Sequence, residues 1–137
     1  MRRGTAQRLA KTRVRDGETL FATKRYDACY YLAGYAVECA LKACIARKFR
    51  ANTIPDRNEV NRTYSHDLAR LVEVAGLQVE LERRLDNAGF GENWNLVKDW
   101  RPDRRYELAT TRGEARALLE AITDPQNGIL VWLSKHW

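Results

Sequence analysis

Three groups of residues in this chain have types and spacings that could do chemistry. The first is His66, which stands beside Asp67 in the run Tyr64-Ser65-His66-Asp67. A neutral imidazole there could take a proton from a ribose 2′-hydroxyl, as general-base chemistry requires. A polar residue at a helix start can equally well cap the helix or bond a neighbouring carbonyl. The second group is Arg101, Arg104 and Arg105, flanked by Trp100 and Tyr106. Guanidinium forks suit phosphates and aromatic faces suit bases, so this corner is the best phosphate- or nucleotide-binding candidate. The alternative is a surface corner in which Arg104 or Arg105 pairs with Asp99 or Asp103, an arrangement worth little. Tyr106 leads into the last helix and is expected to be partly buried. The third group is Glu38 and Lys42, four apart with the acid first. Their surroundings are apolar, so both charges need partners, and Arg13 is the candidate third member of a buried polar cluster.

Other chemistries lack their residues. There is no glycine-rich phosphate loop, no HExxH and no metal-ligand spacing, so neither metal nor cofactor is expected. The three cysteines, Cys29, Cys39 and Cys44, form no CxxC and read as small buried hydrophobes in a reducing, cytoplasmic compartment. No apolar run is long enough to span a bilayer, and the first residues lack the apolar stretch of a secretory signal. The net charge of +6 is local. Residues 1–25 carry eight basic side chains against two acidic ones, whereas the rest of the chain balances sixteen against sixteen. A basic end suits an anionic partner such as RNA or a nucleotide phosphate; it equally suits a solvated helix face.

The elements that must position these residues read as all-α, in a single domain. A first helix runs from about Thr5 to Thr23, with Ala6, Leu9, Ala10, Val14, Leu20 and Phe21 on one side. Arg8, Lys11 and Arg15 form a stripe on the other side. Arg13 falls on the apolar side, where a charge must snorkel or find a carboxylate. Asp27 is expected to cap a second helix reaching about Arg50. That helix has one apolar stripe through Ala28, Leu32, Tyr35, Ala36, Cys39, Ala43 and Ala46. A second runs through Tyr30, Gly34, Val37, Leu41 and Ile45. A rod apolar all round must be covered all round, so the second stripe needs either more helices or another subunit, and a second copy of the chain would seal it. A polar loop follows over residues 51–64. Ser65 or Asp67 then caps a short helix that ends at Gly76. Residues 78–88 look helical, Gly89 and Gly91 break the pattern, and Asn93–Trp100 forms a further short helix. The last helical region starts near Thr111, and Asp124-Pro125 restarts it with a cap and a first-turn proline.

The run Arg25–Ala43, RYDACYYLAGYAVECALKA, resembles the signature of the HEPN domain family. So do YSHDLARLVEVAGL and the pair Arg105-Tyr106 before the final helix, in the expected order over nearly the whole chain. The resemblance implies an up-and-down bundle of about four to six helices around a long second helix, usually a homodimer. It implies links to nucleotides and RNA. Some such proteins are metal-independent endoribonuclease toxins, and others accompany a minimal nucleotidyltransferase in bacterial toxin–antitoxin or defence systems. The ribonuclease members carry an arginine followed after four to six residues by histidine. Here only three residues separate Arg62 from His66, and no arginine stands near before His136, so that motif is absent and its catalytic residues are not carried over. A protein-interaction role without nucleic acid is the third reading.

Overall fold

The computed structural model describes residues 1–49 and 52–137. The described residues form eight α-helices and no strand, against the four to six helices expected. The two long helices come first: α1, Arg3–Ala22, and α2, Tyr26–Lys48. Four short ones follow: α3, Arg57–Arg62; α4, Leu68–Val74; α5, Gln78–Arg84; and α6, Ala88–Val97. A 3-10 turn over Pro102–Tyr106 leads into α7, Arg112–Thr123, and α8, Ile129–Ser134.

Helix α2 is the axis of the fold. It is covered on most of its faces, packed by α1, α4, α7, α8 and the 3-10 turn, and leaves Tyr31, Tyr35 and Lys42 partly open. Small residues let the neighbours in. Gly17 of α1 meets the backbone of Cys29 and the methyl of Ala33 on α2, a close helix crossing with no side chain between. Trp100, fully buried, lies flat over Gly34, where any side chain would overlap the indole. Val37 and Leu41 have no exposure and Ile45 has 3%. The second apolar stripe is therefore sealed by the chain itself. The expectation that a symmetry mate must cover it is overturned, because α4 and the Trp100 corner fill that side of the rod.

Several boundaries differ from the sequence reading for local reasons. Asp27 does not cap α2; its carboxylate accepts the Thr110 N–H at 2.8 Å and ties α2 to the segment before α7. Arg25 occupies the cap position without a side-chain bond. The helix ends at Lys48, and Arg50, its expected end, lies outside the described residues. The polar loop contains α3, which Asp56 caps through the N–H groups of Asn58 and Glu59. Gly89 and Gly91 do not interrupt a helix. They lie inside α6, where Gly89 makes room for the Asn127 side chain, since a Cβ would sit 2.7 Å from its Nδ2. Asp124-Pro125 does not start α8 either. The Asp124 carboxylate accepts the N–H groups of Gln126 and Asn127 in a turn, and the helix begins at Ile129.

Other signals hold. Gly76 takes φ +75° past the end of α4, and Leu77 N–H returns to Val72 C=O at 3.0 Å, a glycine C-cap. Thr111 and Glu114 form a reciprocal capping box at the start of α7.

Candidate functional site

Among the described residues Glu38 is the one buried carboxylate, with its side chain 2% exposed. It lies on α2 among alanine, cysteine and leucine, so its charge must be met locally. Lys42, one turn on, brings Nζ to 3.5 Å of Oε1. The same oxygen bonds Nδ1 of His66, which arrives from the linker between α3 and α4. Asp67 fixes that arrival, since its carboxylate accepts the Arg70 N–H and caps α4 while Ser65 Oγ accepts the Asp67 N–H. The histidine ring is 59% exposed and the carboxylate behind it is buried. A carboxylate on Nδ1 fixes the ring's orientation and leaves Nε2 free to work as base or donor.

Arg13 is not drawn into this cluster. Its guanidinium pairs with Asp16 at 2.7 Å on its own helix, half exposed, which resolves its awkward position on α1. The cluster the sequence assembled as Arg13, Glu38 and Lys42 is Glu38, Lys42 and His66 in space. The signal that could have found it is the cost of a buried carboxylate, which demands a nitrogen from elsewhere in the chain.

The arginine corner divides by partner. Arg104 is largely buried, stacked 4.0 Å over the Tyr30 ring and bonded to Thr110 Oγ1, Glu107 and Glu114. It is spoken for structurally. Arg101 pairs across to Asp67 at 3.2 Å, half exposed, so the corner is linked to the residue next to His66. Burial would raise the Asp67 carboxyl, but the Arg70 N–H and the Arg101 guanidinium outweigh it and hold the group below its ordinary value. Arg105 is exposed, 4.8 Å over the Tyr106 ring, and the Tyr106 and Tyr31 hydroxyls hold its pKa above the ordinary guanidinium value. Tyr106 is 73% exposed, not partly buried, because the 3-10 turn carries it outward before α7 begins. Beneath them, Tyr31 stacks near-parallel on Trp100 at 6.0 Å and on Tyr35 at 6.2 Å. Sequence reasoning missed Tyr31 and Tyr35; their spacing of four on the rod put both rings on one line.

The result is one continuous strip. It runs from Lys42, Glu38 and His66 through Asp67 and Arg101 to Arg105, with Tyr31, Tyr35 and Tyr106 alongside. It can present cations and aromatic faces to an anionic, ring-bearing ligand, and one oriented imidazole.

The family model for the HEPN domain matches residues 7–124, well over half of the chain. The chain belongs to the HEPN domain family. The match takes in every member of the strip, all of α2 and α1 from Gln7 onward. HEPN domains are nucleotide- and RNA-associated modules, and that is the general character of this one. Comparison with curated proteins and with solved structures gave no match. In this HEPN domain no helix among the described residues is long and apolar enough to cross a membrane.

Proposed function

We propose that this HEPN domain binds RNA or a nucleotide through Arg105, Tyr106 and Arg101. The observation that carries the reading is Arg105. It is a fully exposed guanidinium with no acidic partner among the described residues, laid against one tyrosine and beside a stacked aromatic row. Phosphate takes the guanidinium and bases take the rings. The basic first 25 residues add a long-range attraction for a polyanion. The family membership supports the wider setting: a cytoplasmic module of a bacterial toxin–antitoxin or defence system, working as a homodimer beside a nucleotidyltransferase-like protein. With α2 already covered, such a dimer would form on surface residues and not complete the core.

A single-stranded RNA oligomer should bind the wild type. The Arg101→Ala/Arg105→Ala variant should bind it about tenfold more weakly, the loss expected for charge-assisted contacts. Equal affinity in both, or no binding by the wild type, defeats the reading and favours a protein-interaction module. Purification from the native host followed by intact-mass analysis tests the partner and reveals any nucleotidyl group on a tyrosine.

The Glu38–His66 pair favours a second reading, a metal-independent endoribonuclease. Nε2 of His66 would take the 2′-hydroxyl proton, the alkoxide would attack the adjacent phosphorus, and the 5′-oxygen would leave, giving a 2′,3′-cyclic phosphate. Lys42, on the same Glu38 oxygen as His66, and Arg101, on Asp67, are the cations at hand for the phosphorane; Arg62 is paired with Glu73 at 3.6 Å. Cleavage in EDTA that His66→Ala abolishes supports this reading, and cleavage that survives the substitution removes it.

A further inference from the structure

A cavity between α2 and the segment Val60–Tyr64 has no part in either reading. Its volume is about 310 Å³, and it opens to solvent. Ile45, Val60 and Met1 line it, the rings of Phe49 and Tyr64 flank it, and Lys42 supplies the one charged side chain among the described residues that line it. Ile45 is buried, whereas Tyr64 is 73% exposed. A large aromatic left that open at the mouth of a cavity offers a ring face to an occupant. Thr63 also reaches the cavity, but its hydroxyl is spent on Val60 C=O at 2.6 Å.

Lys42 is the decisive wall. Its ammonium has three donors, and the bond to Glu38 uses one of them. The Glu38 carboxylate also bonds His66, so a single negative charge serves two nitrogen groups. Lys42 stands 3.5 Å from Glu38 and keeps donors for a second acceptor, and it reaches a cavity whose other described walls are mostly apolar and aromatic. Ligand cavities span roughly 300–1,000 Å³, and this one is at the small end, with room for a single ring system.

We propose that this cavity binds a nucleoside monophosphate, with the base against Phe49 and Tyr64 and the phosphate on Lys42. The inference rests on the nucleotide-associated reading and gives it a site separate from the arginine corner. Two aromatic rings favour a flat base over an acyl chain, and the cation favours a phosphate-bearing ring over a neutral one. The bound phosphate then sits next to the Glu38–His66 pair, which ties occupancy of the cavity to the histidine's surroundings.

Isothermal titration of the full chain tests it, with AMP, CMP, GMP and UMP as probes and adenosine and inorganic phosphate as controls. At least one monophosphate should bind about tenfold tighter than either control. Lys42→Gln should cost that monophosphate about tenfold and leave adenosine unchanged. Tyr64→Ala, at an exposed position that folding does not depend on, should weaken monophosphate and nucleoside alike by about fivefold or more. Arg105→Ala separates this cavity from the corner: monophosphate affinity that falls with Lys42→Gln and Tyr64→Ala but not with Arg105→Ala belongs to the cavity, and affinity that falls with Arg105→Ala alone belongs to the corner and overturns the cavity site. If Lys42→Gln does not fold, Tyr64→Ala decides. No monophosphate binding at roughly millimolar concentration overturns the proposal. So does affinity that Tyr64→Ala leaves unchanged, or that Arg105→Ala abolishes. RNA binding that persists without monophosphate binding removes the cavity site alone. Monophosphate binding that persists without RNA binding leaves the cavity site standing and removes the corner.

Discussion

At the scale of single residues, the question is what a buried carboxylate does. Glu38 has two nitrogen partners, and only one of them, Lys42, shares its helix. Removing His66 leaves half of the carboxylate's satisfaction in place, so the loss is moderate. His66→Ala should destabilise the fold by about 1–2 kcal/mol, at the lower end for a hydrogen bond to a charged group because the ring is itself largely exposed. In a Glu38→Gln background the same substitution should cost distinctly less, with a coupling energy of about 1 kcal/mol. Urea denaturation of the four proteins measures it, and additive losses would show that the pair is not coupled. Asp67 is a separate case with a pH signature. Its folded pKa is lowered, so its stabilisation is present above the ordinary aspartate value of 3.8 and is lost as pH falls through the lower folded value. Asp67→Asn keeps a capping side chain but drops the charge facing Arg101. The variant should be about 0.5 kcal/mol less stable at pH 7, a small figure because the pair is solvent-screened. That gap should narrow as pH falls below 3.8 and close once pH is below the lowered folded value; a gap that persists there assigns the loss to the cap geometry instead.

At the scale of elements, helix positions were legible where side chains alone decide them, and illegible where backbone approach decides. The rod α2, the Asp67 cap, the Gly76 stop and the start at Thr111 follow from apolar spacing and cap chemistry. Gly89 and Gly91 misled because a glycine reads as a breaker. In α6 Gly89 is there to let Asn127 approach, and that contact spans 38 residues of chain. The end of α1 was legible to within a residue, although Lys24 beyond it is no glycine. That lysine holds the left-handed φ of 62° where glycine is the usual signal. Asp27 looked like a cap and serves a bond to Thr110 instead, which no local pattern encodes. Of the site, each polar member was visible as a residue, but the His66–Glu38 meeting depends on how α4 docks on α2. The same physics predicts opposite signs for one substitution at two glycines of the first two helices. Gly17→Ala has ordinary van der Waals room and should stabilise by roughly 0.5–1 kcal/mol through helix propensity. Gly34→Ala drives a methyl into the buried Trp100 indole and should destabilise by about 1–3 kcal/mol. Thermal unfolding of both variants checks the pair, and a stabilising Gly34→Ala would mean that Trp100 does not pack flat on α2.

At the scale of the whole molecule, the apolar rod and the basic end stand in a different relation than composition suggested. The rod's second flank needs no second chain, since Val37, Leu41 and Ile45 lie under α4 and its neighbours. The rod thus gives no reason for assembly, and what the molecule offers a polyanionic partner is mainly charge. Arg8, Lys11 and Arg15 project from α1 into solvent with no acidic partner among the described residues. Like charges three and four apart on a helix repel by a few tenths of a kcal/mol per pair, so this stripe is a standing cost that an anion would relieve. The arginine corner carries the aromatic faces, and the stripe carries none. The two surfaces should therefore separate in a salt titration. For single-stranded RNA the logarithm of affinity falls with the logarithm of salt by about 0.7 for each phosphate neutralised. Arg8→Ala/Arg15→Ala should make that slope shallower by up to about 1.4 while leaving affinity at high salt nearly unchanged, because it removes charge alone. Tyr106→Ala should do the reverse, lowering affinity at every salt concentration and leaving the slope where it was, because stacking releases no counterions. If both variants only flatten the slope, the corner attracts RNA by charge and its rings do not touch the bases.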